Sequence, residues 1–295
     1  MTRELMTRVT GCVYKKLVTG EVVSRTQVAV GHFQMGLLCP HIAHNATPGQ
    51  FIQVHVNRSY DPLLCRPLAV YRTRGDIFEI LFKVVGKGTR LLAEKRIGDT
   101  LDIIGPLGTG FPMDNDFQLA VLVAGGMGIA SLMVLAETIG NPPESPFAKG
   151  GLSSCQITAL IGASTRDKII GEKELLALGA EVRVATEDGS AGHRGMVSEL
   201  LEEILLKERA TTVTRRIFAC GPIPMLKAVA RIAAQHEIPA YVSLEERMAC
   251  GVGACLGCAC EVVSSGDTDT ACRAPTYKMV CVDGPVFDAQ EIAWK

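Results

Sequence analysis

Residues 243–258 read Ser243-Leu-Glu-Glu-Arg-Met-Ala-Cys250-Gly-Val-Gly-Ala-Cys255-Leu-Gly-Cys258, and residues 279–287 read Met279-Val-Cys281-Val-Asp-Gly-Pro-Val-Phe287. Three cysteines spaced C-x4-C-x2-C with a distant fourth is the pattern that holds plant-type [2Fe-2S] clusters. Gly251, Gly253 and Gly257 alternate with the cysteines, where a loop must bend sharply and bring main-chain N–H groups to sulfur, and where a Cβ would obstruct. A zinc site would more naturally use paired C-x2-C units, of which only Cys255 and Cys258 form one. The expected metal ligands are therefore Cys250, Cys255, Cys258 and one further cysteine.

Three cysteines compete for that fourth position. Cys260 follows Cys258 by two residues on an extended segment, so it is expected to be a packed thiol directed elsewhere. Cys272 sits in the polar, turn-rich segment 264–275, whereas Cys281 follows the apolar Met279-Val280 and precedes the turn Asp283-Gly284-Pro285. A ligand at a strand end is held more rigidly than one on a loop, which favours Cys281 while leaving Cys272 as the alternative.

At 295 residues the chain is long enough for two or three modules, and 47% hydrophobic with 21% charged residues suits a substantial core. Its net charge of -1, without a basic stripe, argues against nucleic acid as a partner. No apolar run approaches membrane-spanning length, and the first residues lack the long apolar stretch of a secretion signal. A cytoplasmic protein is expected, its eleven cysteines serving metals or filling the core in a reducing compartment.

From residue 8 to 112 short β-branched runs alternate with turn residues: residues 27–31, 51–56, 68–71, 77–85 and 100–104, separated by Pro48-Gly49, Asp61-Pro62 and Gly75-Asp76. That rhythm predicts an antiparallel barrel. Lys87 to Glu94 reads as a short helix, and Gly86, Gly88 and the Thr89 hydroxyl at its start make a seat for a diphosphate. Arg66-Pro67-Leu68-Ala69 offers an arginine at a strand mouth to pair with phosphate, with a proline fixing the direction of the two residues that follow.

From 113 to 240 strands and helices alternate, which predicts a parallel sheet binding ligands beyond the strand C-termini. Val123-Ala-Gly125-Gly126-Met-Gly128 closes a buried strand and opens a helix, so that bare backbone can approach a diphosphate. Ala219-Cys220-Gly221-Pro222 ends the last strand. The acidic pair Glu187-Asp188 lies in a segment without arginine and would repel a nucleotide 2'-phosphate, so that, should the sheet take a nicotinamide dinucleotide, NADH is favoured over NADPH, although Arg166 after the second strand keeps the choice open.

With Pro48-Gly49-Gln50-Phe51 and Gly105-Pro106-Leu107-Gly108, these segments resemble the ferredoxin reductase superfamily. The resemblance implies that Arg66, Pro67, Leu68 and Ala69 meet the flavin ring and diphosphate, that Leu81, Phe82 and Lys83 flank the adenosine side, and that Gly88 and Thr89 hold phosphate. It implies likewise that Gly125, Gly126, Gly128, Asp188, Gly221 and Pro222 bind nicotinamide dinucleotide, with Cys220 as a catalytic group close to the nicotinamide. The family places serine where this chain has Ala69, whose methyl cannot donate to flavin N5, and proline where it has Ser131.

The order of modules (a flavin barrel at 8–112, a nicotinamide sheet at 113–240 and a cluster domain at 241–295) is similar to one family in particular. This is the electron transfer subunit of B-type dihydroorotate dehydrogenase. The similarity implies FAD, a [2Fe-2S] cluster and NAD(H), and a heterotetramer with two copies of an FMN-containing catalytic subunit that oxidises dihydroorotate during pyrimidine biosynthesis. The alternatives are the small subunit of an NAD(P)H:ferredoxin oxidoreductase or a sulfhydrogenase, and a non-catalytic zinc-stabilised assembly subunit.

Overall fold

The computed structural model describes residues 15–57, 59–114, 117–140, 155–207, 213–263 and 276–295. Residues 8–14, the Pro/Gly-rich connection at 142–151 and Cys272 lie outside the described residues.

The first unit contains β1 (Lys16–Ala29), β2 (His32–Leu38), α1 (Pro40–Asn45), β3 (Phe51–His55), β4 (Arg66–Ala69), β5 (Arg72–Arg74), β6 (Ile77–Lys83), α2 (Lys87–Ala93) and β7 (Thr100–Leu107). The strands form a seven-stranded antiparallel sheet in the order β4-β3-β7-β1-β2-β6-β5. This is the expected barrel in half-barrel form. Period-two alternation sends Ile52, Val54, Phe78, Ile80 and Ile103 into its core, and register shifts at Val22/Ser24 and Gln27/Ala29 mark bulges in the long β1.

The second unit contains β8 (Leu119–Gly125), α3 (Ile129–Gly140), β9 (Gln156–Ala163), α4 (Glu172–Ala177), β10 (Glu181–Thr186), β11 (His193–Arg194), α5 (Val197–Lys207), β12 (Arg215–Cys220), α6 (Ile223–Gln235) and β13 (Ala240–Ser243). Every residue of β8 is buried, as its continuous apolar run requires of a central parallel strand covered on both faces. The order β11-β10-β9-β8-β12-β13 runs outward in both directions from β8, so a crevice opens where the winding reverses, between β8 and β12.

The final elements are β14 (Ala259–Val262), β15 (Thr276–Met279) and β16 (Val286–Asp288). β14 and β15 make a two-stranded antiparallel sheet, whereas β16 pairs antiparallel with β13, with Ser243 opposite Val286. The cluster segment therefore begins and ends on the edge of the second sheet. Cys258, Val280, Cys281 and Phe287 join the same apolar cluster as α5 and α6. No helix among the described residues is long and apolar enough to cross a membrane.

Helix α3 is apolar nearly all round, with Ile129 to Ala136 all buried, because it lies between the two sheets. One side packs with Tyr71 and Leu81, and Val134 enters the barrel core. At this junction Arg72 Nε of β5 donates to Glu137 Oε1 of α3 at 2.6 Å, the side chains being 11% and 20% exposed. Removing one member leaves a nearly buried charge unpaired, so Glu137→Leu should lower unfolding free energy by ~2–4 kcal/mol, while an apolar double replacement of Arg72 and Glu137 recovers most of it. Urea denaturation reads both; a Glu137→Leu loss below ~1 kcal/mol would place the pair among weak surface bridges.

Candidate functional site

Strand β4 lies beside β3 with Pro67 opposite Gln53, Leu68 opposite Ile52 and Ala69 opposite Phe51. A cavity of about 310 Å³ is walled on the barrel side by Arg66, Pro67, Leu68, Ala69, Leu81, Phe82, Lys83 and Thr89. Its far wall is formed by Met127 and Ser131 of the second unit and by Ser243 to Glu246 before the cluster loop. All four residues expected at the flavin ring and all three expected on the adenosine side therefore face one space.

The phosphate end is built by close approach. A Cβ on Gly88 would lie 2.2 Å from Arg66 Nε and 2.6 Å from Nη2, so only glycine lets that edge of the guanidinium lie over the turn. Nη1 donates to the carbonyls of Leu64 at 2.6 Å and Cys65 at 3.2 Å, which fixes the arm and turns the remaining donors toward the Gly88 turn. The Thr89 hydroxyl accepts from the amides of Val85 (2.9 Å) and Gly86 (3.2 Å). It therefore shapes the turn from within. This arrangement of a fixed cation, a bare backbone turn and an apolar wall fits a flavin dinucleotide.

A second cavity of about 590 Å³ lies beyond the C-terminal ends of β8, β9, β10 and β12, lined by Gly125, Gly126, Pro222 and Met225 together with Lys168 and Glu187. Gly126 turns the chain at φ +54°. Gly128 does not line the crevice but lets its two loops meet: a Cβ there would stand 1.9 Å from the carbonyl oxygen of Cys220. Gly221 likewise packs against Gly125. Lys83 and Met127 line both cavities, so the two spaces share a wall at which two flat rings can meet.

The acidic wall residue is Glu187; Asp188 stands outside the lining, its Oδ1 accepting from the Ser190 hydroxyl at 2.6 Å and amide at 2.9 Å. Those bonds hold the Asp188 carboxyl below its usual range. Cys220 is fully buried at the end of β12. Burial, and then the nearby Glu245 charge, push its thiol up to about 12, despite hydrogen bonds with Ser131 and Ser243. A neutral thiol in that setting positions the crevice floor and supplies no thiolate. Ser131 and Ser243 stand in segments the sequence marks, but nothing in the sequence shows that both bond to the Cys220 thiol.

In the cluster loop, Cys250 is half-buried, Cys255 exposed, and Cys258 and Cys281 buried. The Val252 amide donates to Cys250 Sγ at 3.4 Å; with the amides of Cys255 and Ala254 it draws the Cys250 thiol down to about 6. Burial foremost, then hydrogen bonding and charge from Cys258, raises the thiol of Cys281. Amides directed at one sulfur and a buried thiol pair are the chemistry of thiolate ligation, but among the described residues no three of these side chains are gathered closely enough to hold a metal ion as they stand. Cys260 lies on β14, half-buried, its thiol raised by burial, in keeping with a packed residue. The structure brings Cys281 to Cys258.

Residues 245–293 match the family model described as the iron-sulfur cluster binding domain of dihydroorotate dehydrogenase B. Across 283 residues the chain is 35% identical to the protein of Desulforamulus reducens named dihydroorotate dehydrogenase B (NAD(+)), electron transfer subunit, covering 95% of this chain and 99% of that one. Among solved structures, an NADH-dependent reduced ferredoxin-NADP oxidoreductase studied for flavin-based electron bifurcation superposes with a TM-score of 0.76 at 31% identity, covering 93% of this chain and 90% of its own. The ferredoxin NADP+ reductase of Neisseria gonorrhoeae with bound FAD and NADP shares the fold at a TM-score of 0.60 and 17% identity, over 75% of this chain and 92% of that one.

The buried thiol carries a pH signature. Its folded value of about 12 lies above its ordinary 9.0, so its contribution to stability is complete below pH ~9 and is lost as pH rises through ~9 toward ~12, with a slope approaching 1.4 kcal/mol per pH unit. Cys220→Ala should therefore show a shallower alkaline loss of stability by about one proton. Parallel alkaline slopes for the two proteins would contradict the assignment.

Proposed function

Because this chain belongs to the family of electron transfer subunits of dihydroorotate dehydrogenase B (NAD+), we propose that it links NAD to a separate FMN-containing subunit that oxidises dihydroorotate to orotate in pyrimidine biosynthesis. The chain is an oxidoreductase subunit whose cofactors are FAD, a [2Fe-2S] cluster and NAD(H). The observation that carries this reading is one of adjacency: the two cavities share a wall, and the cluster loop begins on the far wall of the first.

FAD, when bound, exchanges a hydride with nicotinamide and single electrons with the cluster. The chain's own residues supply the rest. Arg66 and the Gly88 turn hold the diphosphate, Pro67 to Ala69 lie along the ring, and Gly125, Gly126 and Pro222 floor the nicotinamide crevice above Cys220. Glu187 beside that crevice disfavours a 2'-phosphate by charge repulsion. Cys250, Cys255, Cys258 and Cys281 ligate the iron.

The partner is the catalytic subunit, two copies of each forming a cytoplasmic heterotetramer. Leu256, 63% exposed between two of the ligands, and Val252, 41% exposed, put an apolar tip on the cluster loop where a short electron path requires contact. The ferredoxin oxidoreductase at 31% identity favours a second reading, in which the same conduit serves another redox subunit. Anaerobic isolation of the complex from its host, assayed for dihydroorotate-dependent NAD+ reduction and for bound FMN, FAD and iron, separates the two: orotate formation supports the first, and a different redox partner without it supports the second.

Two substitutions divide the conduit. Arg66→Leu should lower FAD retained through gel filtration at least tenfold and leave iron content near normal; full FAD occupancy would remove Arg66 from the diphosphate site. Leu256→Glu should weaken association with the catalytic subunit and slow orotate formation, with NADH-to-ferricyanide turnover unchanged. Intact assembly and orotate formation would move the interface elsewhere.

A further inference from the structure

Gln53 lies in β3 with no solvent exposure, and neither its Nε2 nor its Oε1 has a hydrogen-bond partner. A fully buried, unpaired carboxamide is costly, and leucine or methionine would fill the same volume without that cost. Its neighbours Ile52 and Val54 face the barrel core, so alternation turns Gln53 to the outer face of the sheet. The cluster loop covers it there. A Cβ on Gly251 would stand 2.6 Å from Gln53 Cγ and 2.7 Å from Nε2, at a residue whose φ is +68°.

The carboxamide is thus pressed against the residue that follows Cys250, on the strand whose neighbour β4 carries Arg66 to Ala69. Gln53 does not line the flavin cavity. Its carboxamide lies under Gly251 of the cluster loop.

We propose that Gln53 is a positioning residue for the cluster: its Nε2 donates a hydrogen bond to a cluster sulfur on the Cys250 side, tuning the reduction potential from the flavin barrel. The inference rests on the reading of Cys250 as a cluster ligand. Reduction adds negative charge to the sulfurs, so a donor aimed at one of them favours the reduced form and raises the potential. A side chain of the flavin-binding sheet then sets the cluster's potential relative to the flavin.

The test is an anaerobic, EPR-monitored redox titration of the complete complex carrying Gln53→Met or Gln53→Glu, with iron and FAD content measured on the same samples. The methionine lacks the donor; the glutamate keeps the shape but lacks it only when ionised, so the methionine variant carries the test and the glutamate variant is read as a function of pH. The expected result is a fall in cluster potential corresponding to about a tenfold change in the reduced-to-oxidised ratio, ~59 mV for one electron, with the FAD potential in place. In wild-type protein labelled with side-chain 15N-glutamine, pulsed EPR of the reduced cluster should show a nitrogen coupling, and that measurement stands even if a variant loses its cluster. An unmoved cluster potential, a shift confined to FAD, or a missing nitrogen coupling overturns the proposal. Absence of any [2Fe-2S] signal from wild type would instead overturn the reading on which it rests.

Discussion

The main-chain pairing of β16 with β13 is the contact on which the electron path depends. Three consecutive residues, Val286 to Asp288, complete the edge of the nicotinamide sheet, and the amide of Leu244 donates to the carbonyl of Pro285 at 2.8 Å. Thr109, just after the last barrel strand, bonds its amide to the carbonyl of Gly284. One turn, Asp283-Gly284-Pro285, is therefore held by both larger units. Backbone hydrogen bonds fix distance far more tightly than side-chain packing does, and electron transfer between centres requires fixed distance.

The junction of the two sheets is built by a different device. Helix α3 gives up its polar face almost entirely and is gripped from both sides, with Arg72 and Glu137 as the specific charged contact in an apolar boundary. At the crevice floor the Gly128 and Cys220 loops approach too closely for any side chain. The seating of the two units and the close backbone contact at the crevice serve one end: the space walled jointly by Lys83 and Met127 is where a flavin and a nicotinamide would be brought together.

Much of this was legible in the sequence because the signals are local. The cysteine spacing, the Gly125-Gly126 turn and the β-branched rhythm of the barrel each fix nearby geometry, and the strand and turn that flank Cys281 are readable at the same short range. What stayed hidden depends on partners remote in sequence. Nothing in Val286-Phe287-Asp288 announces an edge strand for a sheet begun at Leu119, and Gln53 reads as an ordinary polar residue until the loop at Gly251 is folded over it. The acidic pair was visible, but which member faces the crevice was not, since Asp188 is drawn aside by Ser190 and Glu187 is left at the wall. Thr89 lines the flavin cavity, and only the folded turn shows that its hydroxyl also accepts from the amides of Val85 and Gly86.

Ser243 and Val286 stand opposite one another across the sheet edge. All of the chain from 244 to 285, including Cys250, Cys255, Cys258 and Cys281, thus departs from and returns to neighbouring points on the sheet edge. Topologically it is an appendix closed at its base. A short connection across that base would leave the strand order of both sheets unchanged, yet Leu244 to Glu246 and Pro285 of the same segment wall the flavin cavity, so the one-electron outlet and the flavin seat are built in part from the same residues. The route an electron takes on leaving the flavin is thereby a property of a segment set into the chain at one point of the sheet edge.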